Sequence, residues 1–278
     1  MRLAPLAVVL LVGAALAGGA TSSQKAVEAL VRKHLASLAA FADDDKLGLA
    51  KDPLVVGLSE MPPGFPGGIA ARLHADGPDV THTVKSVAIG IDDAKGVAWV
   101  QAPFHFKDEP RVSPESGEGN LWLITEGDMR FGALVIRDGK DWKLAAVDYS
   151  TVVPDQELMK GATEQKPTMV APTDDAAKAV AGWFKGGLVT HAATGTVIAS
   201  GTSPSEYAVG AAATKLVAKW DKLGLVVEHA EGRMFGDYAV VQAVVSLPVK
   251  GKSVGMGLFA IVRRDGSDWH WLSLQYSH

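Results

Sequence analysis

Asp148 is the carboxylate of this sequence with the clearest potential for chemistry. It lies in residues 133–150, whose β-branched and aromatic side chains predict strands. Because strand side chains alternate between two faces, Trp142, Asp148 and Ser150 are predicted to share one face. On the wall of an apolar cavity, burial would raise the pKa of Asp148 and make this carboxyl a usable general base. The alternative, more common for aspartate, is a solvated or hydrogen-bonded carboxylate at the rim of a sheet.

The last strand of the chain carries a second set of candidate cavity residues. The same alternation places Trp269, Trp271 and Gln275 on one face. Gln275 stands where Asp148 stands in the earlier segment, and a carboxamide does not exchange protons as an acid or base. Two cavities lined by these strands would therefore not share chemistry.

A third candidate group lies on an earlier predicted strand, where even spacing puts Trp99, Gln101 and His105 on one face. A tryptophan beside an amide and an imidazole is suited to binding and orienting a ligand. The same residues also suit an ordinary sheet surface, and Gln101 and Gln242 recur in matching segments, as they would if they paired across two sheets. We expect the structural role for this group.

Composition argues against several classes of function. The 278 residues include no cysteine, which excludes disulfides, thiolate metal sites and a thiol nucleophile. A net charge of −4 without a basic block disfavours nucleic-acid binding, because phosphate neutralisation needs a concentrated basic face. The eight histidines show no metal-ligand spacing beside a carboxylate, and no nucleotide-binding glycine motif or nucleophile elbow is present. We therefore predict no metal and no cofactor.

Residues 1–20 have the pattern of a secretory signal peptide. Arg2 precedes an almost wholly apolar run that ends in small residues between Ala17 and Ala20. An uncleaved membrane anchor is the alternative, but the run is short, rich in alanine and glycine, and lacks a basic flank. The sequence thus predicts export to the periplasm or the extracellular space, with no membrane attachment after cleavage.

An internal repeat divides the rest of the chain. Residues 133–150 and 260–277 are identical at 9 of 18 positions at an offset of 127, and each contains an Asp-Gly pair typical of hairpin turns. Upstream, residues 97–102 match 238–243 at an offset of 141. The first copy therefore contains an insertion, which falls within the acidic segment 107–128 and is expected to form a solvated loop.

Helix signals precede the strands in each copy. In the first, Thr21 and Gln24 form a capping-box pattern ahead of apolar residues spaced by three and four. In the second, helices are predicted near Asp174 and at Ser203, where Ser-Pro-Ser-Glu supplies the N-cap, N1 and N3 residues. Helices followed by antiparallel strands predict an α+β unit in each copy. The predicted organisation is a signal peptide (1–20), a first domain (21–152), a proline-containing linker (153–173) and a second domain (174–278).

In their order, these segments resemble tandem SnoaL-like domains of the nuclear-transport-factor-2-like (NTF2-like) superfamily, which includes ketosteroid isomerases and polyketide cyclases. The most specific likeness is residues 197–206 with Gly210, similar to the family's strand, G-T-x-P-x-E and helix segment, together with the two terminal Trp…Tyr-Ser strands. The first copy departs from this pattern over residues 54–68, where a shorter or rebuilt helix is expected.

The resemblance implies a strongly bent antiparallel sheet wrapped on N-terminal helices, with a cavity between sheet and helices. It also implies that such units pair through their sheets. Two copies in one chain are therefore expected to form an intramolecular pseudo-dimer, and the chain to be a monomer.

Two functions are compatible with these observations. The favoured one is a non-catalytic exported module that binds a small apolar molecule or a protein partner, because the aspartate and tyrosine set of ketosteroid isomerisation has no recognisable counterpart here. The alternative is an isomerase or cyclase acting on an apolar cyclic ketone with Asp148 as its base. Burial of Asp148 beside a donor in an enclosed pocket would favour the enzyme, and exposure would argue against it.

Overall fold

The computed structural model describes residues 20–56, 69, 80–108, 126–164 and 169–277. Within these ranges the chain forms two units, each a six-stranded sheet with helices against one face. The predicted signal peptide, most of the acidic insertion and the departure from the family pattern after residue 56 lie outside the described residues. In the part of the chain that is described, no helix combines the length and the apolar character needed to cross a membrane.

The first unit opens with helix α1 (Ser22–Ala39), and its capping box is formed as predicted. The Thr21 hydroxyl accepts from the Gln24 N–H at 3.1 Å, and the Gln24 side chain accepts from the Thr21 N–H at 2.9 Å. A 3₁₀ turn (Asp44–Lys46) follows. The strands are β1 (Leu49–Val56), β2 (Val80–Val84), β3 (Ala88–Asp92), β4 (Val97–Asp108), β5 (Glu126–Asp138) and β6 (Asp141–Thr151).

The first sheet has the order β1-β6-β5-β4-β2, with β3 also paired to β4. Strand β1 is parallel to β6, and the other pairs are antiparallel. The Asp-Gly turn joins β5 to β6 as a hairpin, as its sequence predicts.

The second unit repeats this arrangement. Helix α2 (Asp155–Lys160) lies within the predicted linker. Helix α3 (Asp175–Gly186) begins near Asp174, as predicted, and the structure shows Asp174 as its N-cap, whose side chain accepts from Ala177 N–H. The other elements are a 3₁₀ turn (Leu188–His191), β7 (Ile198–Ser200), β8 (Tyr207–Val209), α4 (Ala211–Trp220), β9 (Val226–Phe235), β10 (Tyr238–Val249), β11 (Lys252–Asp265) and β12 (Asp268–Ser277).

The second sheet has the order β8-β7-β12-β11-β10-β9, and β7 is parallel to β12. Strands β7, β12, β11 and β10 therefore occupy the places of β1, β6, β5 and β4, as the repeat predicts. The prediction of two related α+β units is confirmed.

The helix predicted to begin at Ser203 is wrong. Ser203 and Glu206 form a single turn, in which the Glu206 N–H donates to the Ser203 carbonyl at 3.0 Å, and the chain then enters β8. The helix begins at Ala211, after Gly210, whose φ of 60° favours glycine. Arg130 of the first unit donates to the same Ser203 carbonyl at 2.6 Å, so a contact between units holds this segment as a loop.

A β-bulge in each unit changes which side chains share a face. On β6, Ala146 pairs with Leu134 and Leu144 pairs with Val135, which leaves Ala145 as the extra residue. On β12 the extra residue is Leu272, which lies 127 positions later and is therefore its repeat equivalent. The alternation of side chains reverses after each bulge.

This reversal corrects the predicted faces of both strands. Trp142 belongs to the core of the first unit, whereas Asp148 points to the second unit. In the second unit, Trp271 bonds within its own core and Gln275 points to the first unit. The prediction that the tryptophans share a face with Asp148 or Gln275 is therefore wrong.

The helices cover one face of each sheet, and the two other faces pack on each other. Helix α1 buries apolar side chains against the first sheet, and α3 and α4 bury apolar side chains in the second unit. Trp99, Leu134 and Ala146 of the first unit belong to the apolar cluster of the second. The predicted pseudo-dimer is thus built from sheet-to-sheet packing.

Candidate functional site

Asp148 lies in the contact between the two sheets and is 0% exposed. Its Oδ2 accepts a hydrogen bond from Gln275 Nε2 at 2.5 Å, and the same amide nitrogen donates to Ser150 Oγ at 3.1 Å. Asp148 Oδ1 has no hydrogen-bond partner among the described residues. Burial raises the pKa of Asp148 to about 7, and the hydrogen bond from Gln275 acts in the opposite direction.

The surroundings of this pair are those of a packed interface. Gly132 lies opposite Gln275, so close that a Cβ there would stand 2.9 Å from Gln275 Oε1. Gln101 also crosses between the sheets, where its Nε2 donates to Ser273 Oγ at 2.8 Å. Asp148 and Gln275 line neither of the two hollows that are described below. Asp148 is therefore buried and paired, and it contributes to neither of these hollows.

The other members of the candidate group on β4 do not converge on one site. Trp99 is buried, and its Nε1 donates to the Thr196 carbonyl of the second unit at 2.8 Å. His105 lies further along the strand, with Nδ1 3.0 Å from Asp128 and Nε2 3.1 Å from Glu126. These hydrogen bonds raise the pKa of His105. No pairing of His105 with Asp148 is present.

The other three candidate tryptophans also differ in their surroundings. Trp271 is fully buried, and its Nε1 donates to the Leu188 carbonyl at 2.8 Å. Trp269 is buried, and the Arg264 guanidinium lies 5.9 Å from its ring centroid. Trp142 has the Arg137 guanidinium 4.6 Å from its ring centroid, and of the three only Trp142 lines a described hollow.

The helical side of the first unit contains a buried pair that sequence patterns did not single out. Tyr149 Oη lies 2.6 Å from His34 Nε2, and His34 Nδ1 lies 2.8 Å from the Leu47 carbonyl. Because a carbonyl oxygen only accepts, Nδ1 carries the ring proton and Nε2 accepts from the tyrosine. Burial lowers the pKa of His34 to about 4 and raises that of Tyr149 well above its usual value. Both side chains are therefore neutral at pH 7.

A signal for His34 does exist in the sequence. It lies three residues after Val31 and four before Leu38, on the apolar face of the capped helix. That spacing marks His34 as buried, but it does not reveal Tyr149 as its partner. Tyr149 directly follows Asp148 in β6 and lies on the opposite face of the strand, within the core of the first unit.

A hollow of about 350 Å³ opens between α1, the residues after the first 3₁₀ turn and the β5–β6 hairpin. We call it the hairpin hollow. Its volume is at the lower end of the range for small-molecule sites. Its apolar lining consists of Ala26, Ala29, Leu30, Leu47 and Trp142, and its remaining lining consists of Lys33, His34, Lys46, Gly48, Lys140, Asp141 and Lys143.

A second hollow of about 380 Å³ lies between the two units. It is lined by residues 91–94 and Trp99 of the first unit and by residues 194–196 and Arg263 of the second. Asp92 and Asp93 in its wall already bond to other residues, Tyr238 and Arg137 respectively. No cluster of three or more metal-ligating side chains occurs among the described residues.

Comparisons with known proteins bear on the fold. No family model and no curated protein matches the sequence. Similar solved structures include a ketosteroid isomerase-like protein from Erwinia carotovora atroseptica (16% identity, 48% of this chain and 98% of that chain, TM-score 0.32). They also include a cystatin-like-fold protein from Caulobacter vibrioides (15% identity, 49% and 94%, TM-score 0.38) and Mtr2 from Candida albicans (13% identity, 49% and 99%, TM-score 0.32).

Each of these structures covers about half of this chain and nearly all of its own. Proteins described as ketosteroid isomerase-like or NTF2-like recur among the similar structures. The class that the fold defines is thus an α+β protein of two related units, each a six-stranded sheet with helices on one face. At these identities and TM-scores the likeness shows neither a ligand nor a reaction for this chain.

Proposed function

We propose that this protein is an exported, non-catalytic binding module whose hairpin hollow holds a small molecule with an apolar body. The hollow itself carries the proposal, because an apolar floor formed by α1 and the β5–β6 hairpin lies open beside polar groups at its edge. The two sheet faces pack on each other, so the hollow, rather than an open sheet, is the surface offered to a ligand. The signal-peptide pattern of residues 1–20 supports export.

The wall of the hollow is preformed, which lowers the entropic cost of binding. Trp142 is held by Arg137, which itself bonds to Asp93 at 2.9 Å and to Ser23 at 3.2 Å. On the other side, Leu30 packs close to the backbone, since a Cβ on residue 48 would stand 2.6 Å from Leu30 Cδ1. A ligand therefore meets side chains that are already ordered.

The titratable groups nearby favour binding over catalysis. His34 lines the hollow, but one ring nitrogen donates to a carbonyl and the other accepts from Tyr149, so neither is free to move a substrate proton. Its pKa of about 4 keeps the ring neutral at pH 7. Asp148, the base in the alternative isomerase or cyclase, has the raised pKa such a role needs but lies in the packed interface between sheets.

The experiment is a fluorescence titration with the neutral apolar probe N-phenylnaphthylamine. The mature chain is compared with Ala29→Trp, which fills the hollow from an exposed position of α1, and with Ala36→Trp. Ala36 is an exposed alanine on the same helix that does not line the hollow, so it controls for the effect of an added tryptophan.

Saturable binding to the wild type and to Ala36→Trp, with binding lost in Ala29→Trp, is the expected result. A thermal-shift measurement checks that both variants fold, and it should show probe-induced stabilisation only where the hollow is open. Absence of saturable binding to the wild type, or equal binding by Ala29→Trp, would overturn the proposal.

A further inference from the structure

We propose that the ligand of the hairpin hollow carries an anionic head group, so that this site selects carboxylate, sulfate or phosphate amphiphiles over neutral molecules of the same length. This inference rests on the proposed binding function, and it adds the chemical class of the ligand. The observation behind it is the charge at the edge of the hollow.

The lining of the hollow is basic in a chain that is acidic as a whole. The full sequence has a net charge of −4, whereas the lining contains four lysines and a single carboxylate, Asp141. Lys46 is paired with Asp43 at 2.9 Å. Lys33, Lys140 and Lys143 form no ion pair with any residue of the described chain. These three ammonium groups are therefore available to bind an anion.

The positions of these lysines fit an amphiphile entering along the hollow. Lys33 comes from the last half of α1 and Lys140 from the tip of the β5–β6 hairpin, so the two lysines reach the hollow from different elements. Lys33 and Lys140 are exposed, so their heads stay hydrated while their aliphatic stems extend the apolar surface. An apolar body can then lie on Trp142 and Leu30 while its head group remains at the wet edge.

The chemistry of lysine sets how selective the site can be. An ammonium group is a compact point charge on a flexible stem, unlike the planar fork of arginine. It therefore accepts carboxylate, sulfate and phosphate heads alike and distinguishes them from neutral or cationic ones. Each exposed pair strengthens binding by at most about fivefold, and salt screens the effect.

The test measures displacement of N-phenylnaphthylamine from the mature chain by decanoate, decyl sulfate, decanol and decyltrimethylammonium at low salt. We expect decanoate and decyl sulfate to compete about tenfold better than decanol, and the cation to compete worst. The preference for anions should shrink as salt is raised from low to physiological concentration.

Variants then assign the effect to the lysines. Lys33→Glu with Lys140→Glu should remove the preference for decanoate over decanol, and the milder Lys33→Gln with Lys140→Gln should reduce it in case the reversal perturbs folding. The matched control is Lys215→Glu with Lys222→Glu, two exposed lysines of the second unit, which should leave the preference unchanged.

The outcomes separate the two proposals. Equal competition by decanoate and decanol would overturn the anionic class while leaving the binding function standing. Absence of probe binding would remove both. Sedimentation with anionic phosphatidylglycerol vesicles adds a further arm. If the chain binds the vesicles but decanoate does not displace N-phenylnaphthylamine in a saturable way, the lysines contact a membrane surface and the proposal fails.

Discussion

Asp148 and Gln275 occupy equivalent positions of the two repeats, and they hydrogen-bond to each other, with Gln275 Nε2 donating to Asp148 Oδ2 at 2.5 Å. In a symmetric dimer, a residue that contacts its own copy lies on the two-fold axis. The pseudo-two-fold axis of this chain therefore passes close to this pair. Two aspartates there would place two carboxyl groups together, which resist joint ionisation. Joining both repeats in one chain lets a carboxyl face an amide donor instead.

The first prediction concerns the pH dependence of stability when Asp148→Asn removes this carboxyl. The pKa of Asp148 is about 7 in the folded chain against an ordinary value of 3.8, so the folded state holds the proton more tightly than the unfolded state. The stabilisation is fully present below pH 4 and is lost as pH rises through 7. The loss is on the order of 4 kcal/mol, since one pKa unit corresponds to about 1.36 kcal/mol. The variant should gain this much relative to wild type between pH 4 and pH 8.

Urea denaturation of both chains across this pH range measures the difference. The comparison is necessary because His34 and His82, whose pKa values burial lowers to about 4, act in the opposite direction and lose their stabilisation as pH falls from 6.5 towards 4. Both chains contain them, so their contribution cancels. Asp141→Asn at the exposed hairpin turn is the control. A difference between Asp148→Asn and wild type that stays constant from pH 4 to pH 8 would contradict the prediction.

The second prediction treats His34 and Tyr149 as one energetic unit. Tyr149→Phe leaves the buried His34 Nε2 without its donor and should cost about 1–3 kcal/mol. His34→Leu leaves the buried tyrosine hydroxyl unpaired and should cost a similar amount. The double variant should lose less than the sum, with a coupling of roughly 0.5–3 kcal/mol in a double-mutant cycle at pH 8. Additive losses would mean that the two side chains act separately.

Local signals predicted the parts of the fold that local chemistry determines. The capping box at Thr21 and the two Asp-Gly turns depend on contacts within a few residues, and all are formed. The segment at Ser203 carries equally good helix signals, but the helix does not form there, and the Ser203 carbonyl accepts a hydrogen bond from Arg130 of the first unit. A contact between residues 73 positions apart leaves no periodic trace in the sequence.

The bulges explain why the candidate site was predicted less well than the fold. Ala145 and Leu272 are ordinary apolar residues, and nothing in their type marks the extra residue that reverses the alternation after it. Strict alternation along the strand therefore placed Trp142 on the same face as Asp148, because it took no account of the bulge between them. The structure separates them, with Trp142 at a ligand-sized hollow and Asp148 between the sheets.

The third prediction concerns Arg130, which is 2% exposed and whose guanidinium joins the two units. It donates to the Gly201 carbonyl and, at 2.6 Å, to the Ser203 carbonyl. Arg130→Met keeps the apolar stem but leaves both carbonyls without this donor. We expect a loss of about 1–3 kcal/mol, because the lost charged hydrogen bonds are partly offset by the relief of a buried charge. Lysine should not replace it, since a point charge cannot span both carbonyls as the fork does.

Hydrogen exchange distinguishes this bridging role from general packing. The Glu206 N–H, which donates to the Ser203 carbonyl, should lose protection in Arg130→Met before the strands of either sheet do. Arg264→Met, at an arginine whose side chain is 48% exposed, serves as the control and should change neither stability nor protection in this loop. Unchanged protection at Glu206 in Arg130→Met would show that the guanidinium does not hold the loop.

The fourth prediction is that the mature chain is a monomer. The face of each sheet that the helices leave uncovered is already covered by the other repeat, with Trp99 and Gln101 bonding across to the second unit. Among the described residues, the large apolar side chains left exposed belong to the linker and the second unit, and none belongs to the first unit: Met159, Met169, Val170, Val209, Leu223, Val226, Met234 and Val244. Isolated exposed apolar residues are normal on a monomer surface. Light scattering after size exclusion should therefore give the mass of one chain at every concentration tested. A dimer that persists on dilution would show that the chain has a further interface outside the packing of its two sheets, and it would contradict the prediction.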